Sequence, residues 1–332
     1  MNPLVYDFMQ RAFLGAALTG LAAPAVGTYL VQRRQALIGD GIGHVALTGV
    51  ALGLLTGTFP VLTAVIVATA GAVAIEVVRM RGRASGDVAL AMMFYGGIAG
   101  GVLLTGLAGN GAATLNTYLF GSLTTVSPTD LWVIAVLATV VLVLAIGLRR
   151  QLFAVCHDEE YARVAGLPVP VYNVLLAVMA ALTVTTAMRV VGLLLVSALM
   201  VVPVATAQQL TRSFRATLLV AMGLGVLVSL AGVAFSYYVD VAPGASIVVL
   251  AILGFVAVSL GSGLLARRRT PPVDLPLEGE LGVHVLADHP GEPHQHLHGE
   301  DCGHEAVRHG DHVDYLHEGH RHAVHADHYD EH

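Results

Sequence analysis

Two groups of residues in this 332-residue chain have the types and spacing to bind metal ions. The first is Asp40-x3-His44, within Gly39-Asp40-Gly41-Ile42-Gly43-His44. Residues four apart share a face of a helix, so a carboxylate and an imidazole would line one side of it. The second is a polar tail, since fourteen of the sixteen histidines follow residue 270. It carries His294-x-His296-x-His298 and His320-x-His322, and Cys302-x-His304 offers a softer donor set. Neutral imidazole binds zinc, copper and nickel well. Binding by such a tail should weaken as pH falls through about 6.5, where imidazole protonates.

The elements that must position Asp40 and His44 are membrane helices. With 55% hydrophobic and 12% charged residues, the chain lies outside the range of soluble globular domains. Apolar runs long enough to cross about 30 Å of hydrocarbon are expected at 12–31, 36–57, 60–79, 88–108, 131–148, 172–188, 190–206, 216–238 and 246–265. The expected fold is an all-α polytopic membrane protein of eight or nine transmembrane helices. The sixth and seventh runs have only Arg189 between them, and form either a tight hairpin or one span with a broken partner. Residues 1–270 make the membrane domain and 271–332 the tail.

Arginine sets the orientation, because loops that stay in the cytoplasm retain positive charge. With nine spans, Arg33, Arg34, Arg79 to Arg83, Arg149 to Arg163, Arg212, Arg215 and Arg267 to Arg269 fall on one side. The N-terminus is then outside, and the tail is cytoplasmic in a bacterial plasma membrane. All seventeen basic residues are arginine. A Walker A loop needs a lysine on the nucleotide phosphates, so this chain is not itself an ATPase, and any ATP would be hydrolysed by a partner. Cys156 and Cys302 are far apart and both expected in the cytoplasm, which argues against a structural disulfide. Cys156 and His157 are adjacent, with no further ligand near them in sequence.

An ionisable residue at the centre of a membrane helix costs roughly 2.5–3.5 kcal/mol on insertion scales unless it is paired or faces water or an ion. Two on one face point to a lined pathway, or to an Asp–His hydrogen bond that neutralises both. Two copies about a two-fold axis would offer two carboxylates and two imidazoles, a set suited to zinc or manganese.

Five segments in order resemble the permease subunit of the zinc, manganese and iron family of bacterial ATP-binding-cassette importers, over roughly residues 10–265. They are Arg33-Arg34 with Gly39-Asp40-x3-His44 and Gly49-Val50-Ala51; Ile75-Glu76 with the basic run to Arg83; Asn116 to Leu123; Arg189 to Leu199 through Pro203 and Ala207; and Ser236 to Asp240 with Pro243-Gly244-Ala245. The resemblance implies that Asp40 and His44 pass metal. It makes the segment from His157 to Gly166 the helix that docks on the ATPase, with Asp158, Glu160, Ala162 and Gly166 at the matching positions. It implies a second copy of the chain, a cytoplasmic ATPase dimer and an extracytoplasmic metal-binding protein as partners. No permanent cofactor and no nucleic-acid partner are expected.

Residues 271–332 hold 14 acids and only two arginines. Such a segment cannot bury enough apolar area to fold alone, so disorder is expected, with a role as a metal buffer or sensor. The transported ion is expected to be zinc, from the imidazole content of the tail, with manganese or iron as alternatives. Two other readings stay open. One is a secondary metal transporter, which expects several intramembrane acids and histidines on more than one helix; the other is a membrane-anchored metal store or sensor.

Overall fold

The computed structural model describes residues 5–82, 86–109, 117–122, 126–269 and, in the tail, 285–286, 303, 305–309, 312–317, 320–325 and 328–331. Among the described residues the principal helices are α1 (Asp7–Gln32), α2 (Ile38–Thr56), α3 (Pro60–Met80), α4 (Gly86–Leu107), α5 (Pro128–Gly147), α6 (Arg149–His157), α7 (Glu159–Val164), α8 (Val169–Ala187), α9 (Leu193–Leu210), α10 (Phe214–Val239) and α11 (Pro243–Arg269). Among the described residues, eight are long and apolar enough to cross a membrane, and the apolar α9 is shorter. These nine match the nine expected runs, and the sixth and seventh prove to be a hairpin, α8 and α9, joined at residues 188–192.

Helix ends are set by local chemistry. Ser127 caps α5 in a reciprocal box, its hydroxyl accepting from the Asp130 N–H while Asp130 accepts from the Ser127 N–H. Pro60 and Pro128 sit in the first turns of α3 and α5, where a missing N–H removes no helical bond. At the end of α3, Arg79 makes a two-pronged ion pair with buried Glu76 at 2.6 and 3.0 Å, the local pair its i,i+3 spacing predicts.

Close backbone approach organises the bundle. α1 lies against α5, α8, α9 and α10, while α2 is held between α3 and α4 and also touches α8 and α9. Pro24 within α1 clashes with the usual course of the carbonyl four residues earlier. That carbonyl, of Gly20, faces Gly225 of α10, where an added Cβ would meet it at 2.2 Å. Gly20 and Gly225 lie near the middles of their helices, and their contact marks the central plane. The outward faces of α4, α5 and α11 remain apolar and exposed, with Met92, Trp132 and Leu253 among the residues there.

The chain divides into two compact units, Met1–Leu264 and Leu265–His332. In the second, β1 (Val285–Leu286), β2 (Ala306–His309), β3 (His312–His317), β4 (His320–His325) and β5 (His328–Glu331) form an antiparallel sheet in the order β1-β5-β4-β3-β2. None of its described side chains is buried, in keeping with a composition too polar to build a core.

Candidate functional site

Asp40 is the third residue of α2, in the turn where free N–H groups and the helix dipole favour a negative charge. From α9, the Ser197 hydroxyl donates a short hydrogen bond to Asp40 Oδ1. One turn on, His44 is buried, and its Nδ1 has no hydrogen-bond partner. Buried polar atoms are nearly always satisfied, so an unpartnered one calls for an explanation.

Three glycines admit the surrounding helices. A Cβ added to Gly41 would stand 3.0 and 3.3 Å from Leu90 and Met93 of α4, one added to Gly43 would stand 3.4 and 3.7 Å from Leu193 and Val184, and Gly39 faces Met200 and Ser197. Gly97 of α4 crosses the His44 backbone so closely that an added Cβ would stand 2.5 Å from its carbonyl carbon. The Thr48 hydroxyl donates to the Gly97 carbonyl at 2.8 Å and fixes that crossing. Phe94, one turn before Gly97, stands edge-on to His44 at 77°, with ring centroids 4.4 Å apart. An open pocket of about 230 Å³ is lined by Leu37, Asp40, Leu90, Ala91, Phe94 and Tyr95. Asp40 is thus reached from the pocket, whereas His44 lies against Phe94 and does not line it.

Depth follows from the glycine contacts. Gly27 stands seven residues beyond the central Gly20, about 10 Å along α1, and meets Met200, which also neighbours Gly39. Asp40 therefore lies in the half of the bundle toward the arginine-rich ends, with His44 roughly 6 Å nearer the centre. Among the described residues, no three His, Cys, Asp or Glu side chains gather closely enough to hold an ion. One copy contributes a carboxylate, an imidazole and the Ser197 hydroxyl.

The opposite half contains a second polar cluster. Arg189, in the α8–α9 turn, bonds Asp130 at 2.5 Å and the Tyr118 hydroxyl at 3.2 Å, and stands 5.2 Å over the Tyr118 ring. Asp130 also accepts from the Ser127 hydroxyl at 2.8 Å. Burial pushes the Tyr118 hydroxyl above its ordinary pKa, opposed by the Arg189 charge. Gly121 and Gly192 let residues 117–122 lie directly on this turn, an added Cβ on Gly121 standing 2.5 Å from the Val190 carbonyl.

At the arginine-rich end, α6 and α7 form the short segment expected to dock a partner. Asp158 caps α7, its Oδ1 accepting from the N–H groups of Glu160 and Tyr161 at 2.9 Å each. Gly166, at φ +82°, closes it with paired bonds from Leu167 N to the Ala162 carbonyl and from Gly166 N to the Arg163 carbonyl. Ala162 is fully buried, Glu160 is exposed, and Tyr161 and Val164 project from the surface. Arg33, just after α1, ion-pairs with Glu159 and donates to Asn173 Oδ1 of α8 at 3.0 Å. Replacing Asp158 with alanine should destabilise α7 by about 1 kcal/mol. The expected readout is faster amide exchange at Glu160 and Tyr161, with exchange in the spans unchanged.

Burial pushes the Cys156 thiol up to about 12, so at neutral pH it is a protonated core residue. His294, His296, His298, Cys302 and His304 lie outside the described residues, and His320 and His322 are on β4. Ser197, Phe94 and Asp130 were not singled out from sequence. Only Asp130 had a local signal, the Ser127-x-x-Asp130 capping spacing.

Eight helices long and apolar enough to cross a membrane, among the described residues, define a polytopic membrane protein. The chain belongs to the ABC 3 transport family, whose profile it matches over residues 5–262. The family comprises permease subunits of metal importers in the plasma membrane, and their ATPase is a separate chain. The chain is 36% identical over 249 residues to the manganese transport system membrane protein MntC of Halalkalibacterium halodurans, covering 75% of this chain and 85% of that one. It is 32% identical over 255 residues to the chelated iron transport system membrane protein YfeD of Yersinia pestis, covering 77% and 86%. Among solved structures, PsaBC from Streptococcus pneumoniae in complex with Fab matches with a TM-score of 0.70 and 30% identity, over 76% of this chain and 91% of that one.

Proposed function

We propose that two copies of this chain form the path of an ATP-driven importer for a divalent first-row transition metal, which passes between the Asp40 and His44 side chains of both. The observation that carries this is the buried His44 Nδ1 without a partner, one turn from a carboxylate held by Ser197 at the edge of an open pocket. A second copy would complete a ligand set that one chain leaves at two metal-binding side chains. The secondary-transporter reading needs ion-coupling acids and histidines on further helices, and among the described residues the buried acids there, Glu76 and Asp130, are each paired with an arginine.

In this reading the arginine-rich ends and the tail face the cytoplasm, an extracytoplasmic protein delivers the ion, and an ATPase dimer docks on α7 through Asp158, Glu160, Ala162 and Gly166. Membrane domain and tail then divide near residue 270. Zinc is the ion the fourteen tail histidines favour. Manganese is the second reading, favoured by the relatives' names and by a site with two oxygen donors for each nitrogen. Uptake of radiolabelled zinc, manganese, iron and nickel should be compared in cells carrying the full chain and a chain ending at Thr270. Zinc uptake is expected, reduced by truncation when zinc is limiting. Manganese uptake without zinc uptake would overturn the zinc assignment, and unchanged uptake after truncation would show the tail to be dispensable for import.

A further inference from the structure

The end of α1 is bonded to the docking segment at several points. The Arg33 side chain is 6% exposed, almost withdrawn from water. Its Nη2 pairs with Glu159, the first residue of α7, while its Nη1 donates to Asn173 Oδ1 of α8. Asn173 Nδ2 in turn donates to Glu159 Oε1 at 3.3 Å. Three side chains from three parts of the chain thus close a ring, each bonded to the other two. One residue earlier, Gln32 Nε2 lies 3.2 Å from Nδ1 of His157, the last residue of α6. The His157 ring stacks on Phe153, with centroids 5.4 Å apart at 12°. Phe153 packs on Phe214 at the start of α10, and Phe214 packs on Tyr29 of α1.

Arg33 stands seven residues before Asp40, and the backbone between them is a closed turn. The Gln35 N–H donates to the Leu30 carbonyl at 2.8 Å and the Arg34 N–H to that of Val31 at 3.0 Å. These are the paired bonds that end a helix on a left-handed residue, and Arg34 takes that place at φ +58°. Glycine usually fills it, because a side chain there carries a steric cost that the surrounding bonds must outweigh. The Ile38 N–H then bonds the Gln35 carbonyl at 3.1 Å, and the Asp40 N–H bonds that of Leu37 at 3.1 Å. A displacement of Arg33 is therefore passed on to the first turn of α2, where Asp40 meets Ser197. On its outer side α7 offers Tyr161 and Val164, 67% and 88% exposed.

We infer that Arg33 is a positioning residue for transport, which ties the ATPase-docking helix to the turn carrying Asp40. This rests on the reading that the ATPase docks on α7. Movement of a partner seated on Tyr161 and Val164 shifts Glu159, the ring carries the shift to Arg33, and the closed turn delivers it to the metal site. Bonded side chains between rigid helices are the kind of contact through which two sites are coupled. The planar guanidinium holds its two acceptors in fixed directions, whereas an ammonium would hold them loosely.

The test separates hydrolysis from transport. The full chain is purified with its ATPase and reconstituted in liposomes with the binding protein. Retained ATPase, ATP hydrolysed and radiolabelled zinc or manganese taken up are then measured together. Arg33→Met should retain the ATPase and its hydrolysis, while metal carried per ATP falls at least about threefold. Asn173→Ala, which leaves the Arg33–Glu159 pair in place, should lower the same ratio by less. Arg33→Lys should recover part of it, because the charge opposite Glu159 is kept. An unchanged ratio in Arg33→Met, even with both rates reduced, would make Arg33 a purely structural residue and overturn the inference. Loss of the ATPase from that variant would make Arg33 part of the docking surface and overturn it too. A wild-type chain that retains no ATPase would refute the docking reading itself, and the inference with it, before any variant is made.

Discussion

Asp40→Ala is expected to lower metal uptake by at least about a hundredfold in cells with wild-type amounts of the chain in the membrane. Changes one shell out from a metal typically cost tenfold to a hundredfold, and Asp40 would touch the ion itself. Asp40→Asn should lose nearly as much, since it keeps the shape and can still accept from Ser197 but lacks the charge. Ser197→Ala should cost less, near tenfold, because one hydrogen bond to a charged group is worth about 1.5–3 kcal/mol. None of the three should change the thermal unfolding of the bundle by much. Near-normal initial uptake rates of radiolabelled zinc or manganese in Asp40→Asn would remove the carboxylate from the path.

The largest stability effect is expected at the other end. Arg189→Ala leaves Asp130, of which 2% is exposed, as a charge without its cation. Stranding one partner of a buried pair costs about 3–5 kcal/mol. Removing both, as in Asp130→Leu with Arg189→Met, should recover much of the loss, because apolar groups of similar volume can replace a buried pair at little cost. The resulting cycle of variants should be strongly non-additive. Thermal unfolding of the purified chain in detergent reads the single and double variants. A shift for Arg189→Ala no larger than that of an exposed substitution would show the pair to be energetically idle.

Much of this architecture was legible in the residues, for reasons that differ by element. The spans announce themselves because bilayer thickness fixes their length, and each expected run fell within a few residues of a helix. Asp40 and His44 stood out because charge is costly in hydrocarbon. The cap at Asp158 and the stop at Gly166 were readable because α7 is closed by local bonds. Ser197 was not, since it reaches Asp40 across 157 positions of sequence and only packing brings them together. Arg189 was visible as an anomaly, but its partners Tyr118 and Asp130 come from separate segments. The tail shows the converse limit, for its composition argued against a core and none of its described side chains is buried.

The depth of Asp40 also has an electrical meaning. On the proposed path, a divalent ion entering from the arginine-poor side would have crossed more than half of the bundle on meeting the carboxylate, beyond the Gly20–Gly225 plane. Moving two charges through a full 100 mV is worth roughly 4.6 kcal/mol, from about 2.3 kcal/mol per charge. With the cytoplasmic side negative, most of that drop would act on the step that fills the site and little on the step that empties it. Membrane voltage would thus help load the carrier, leaving nucleotide hydrolysis to drive release.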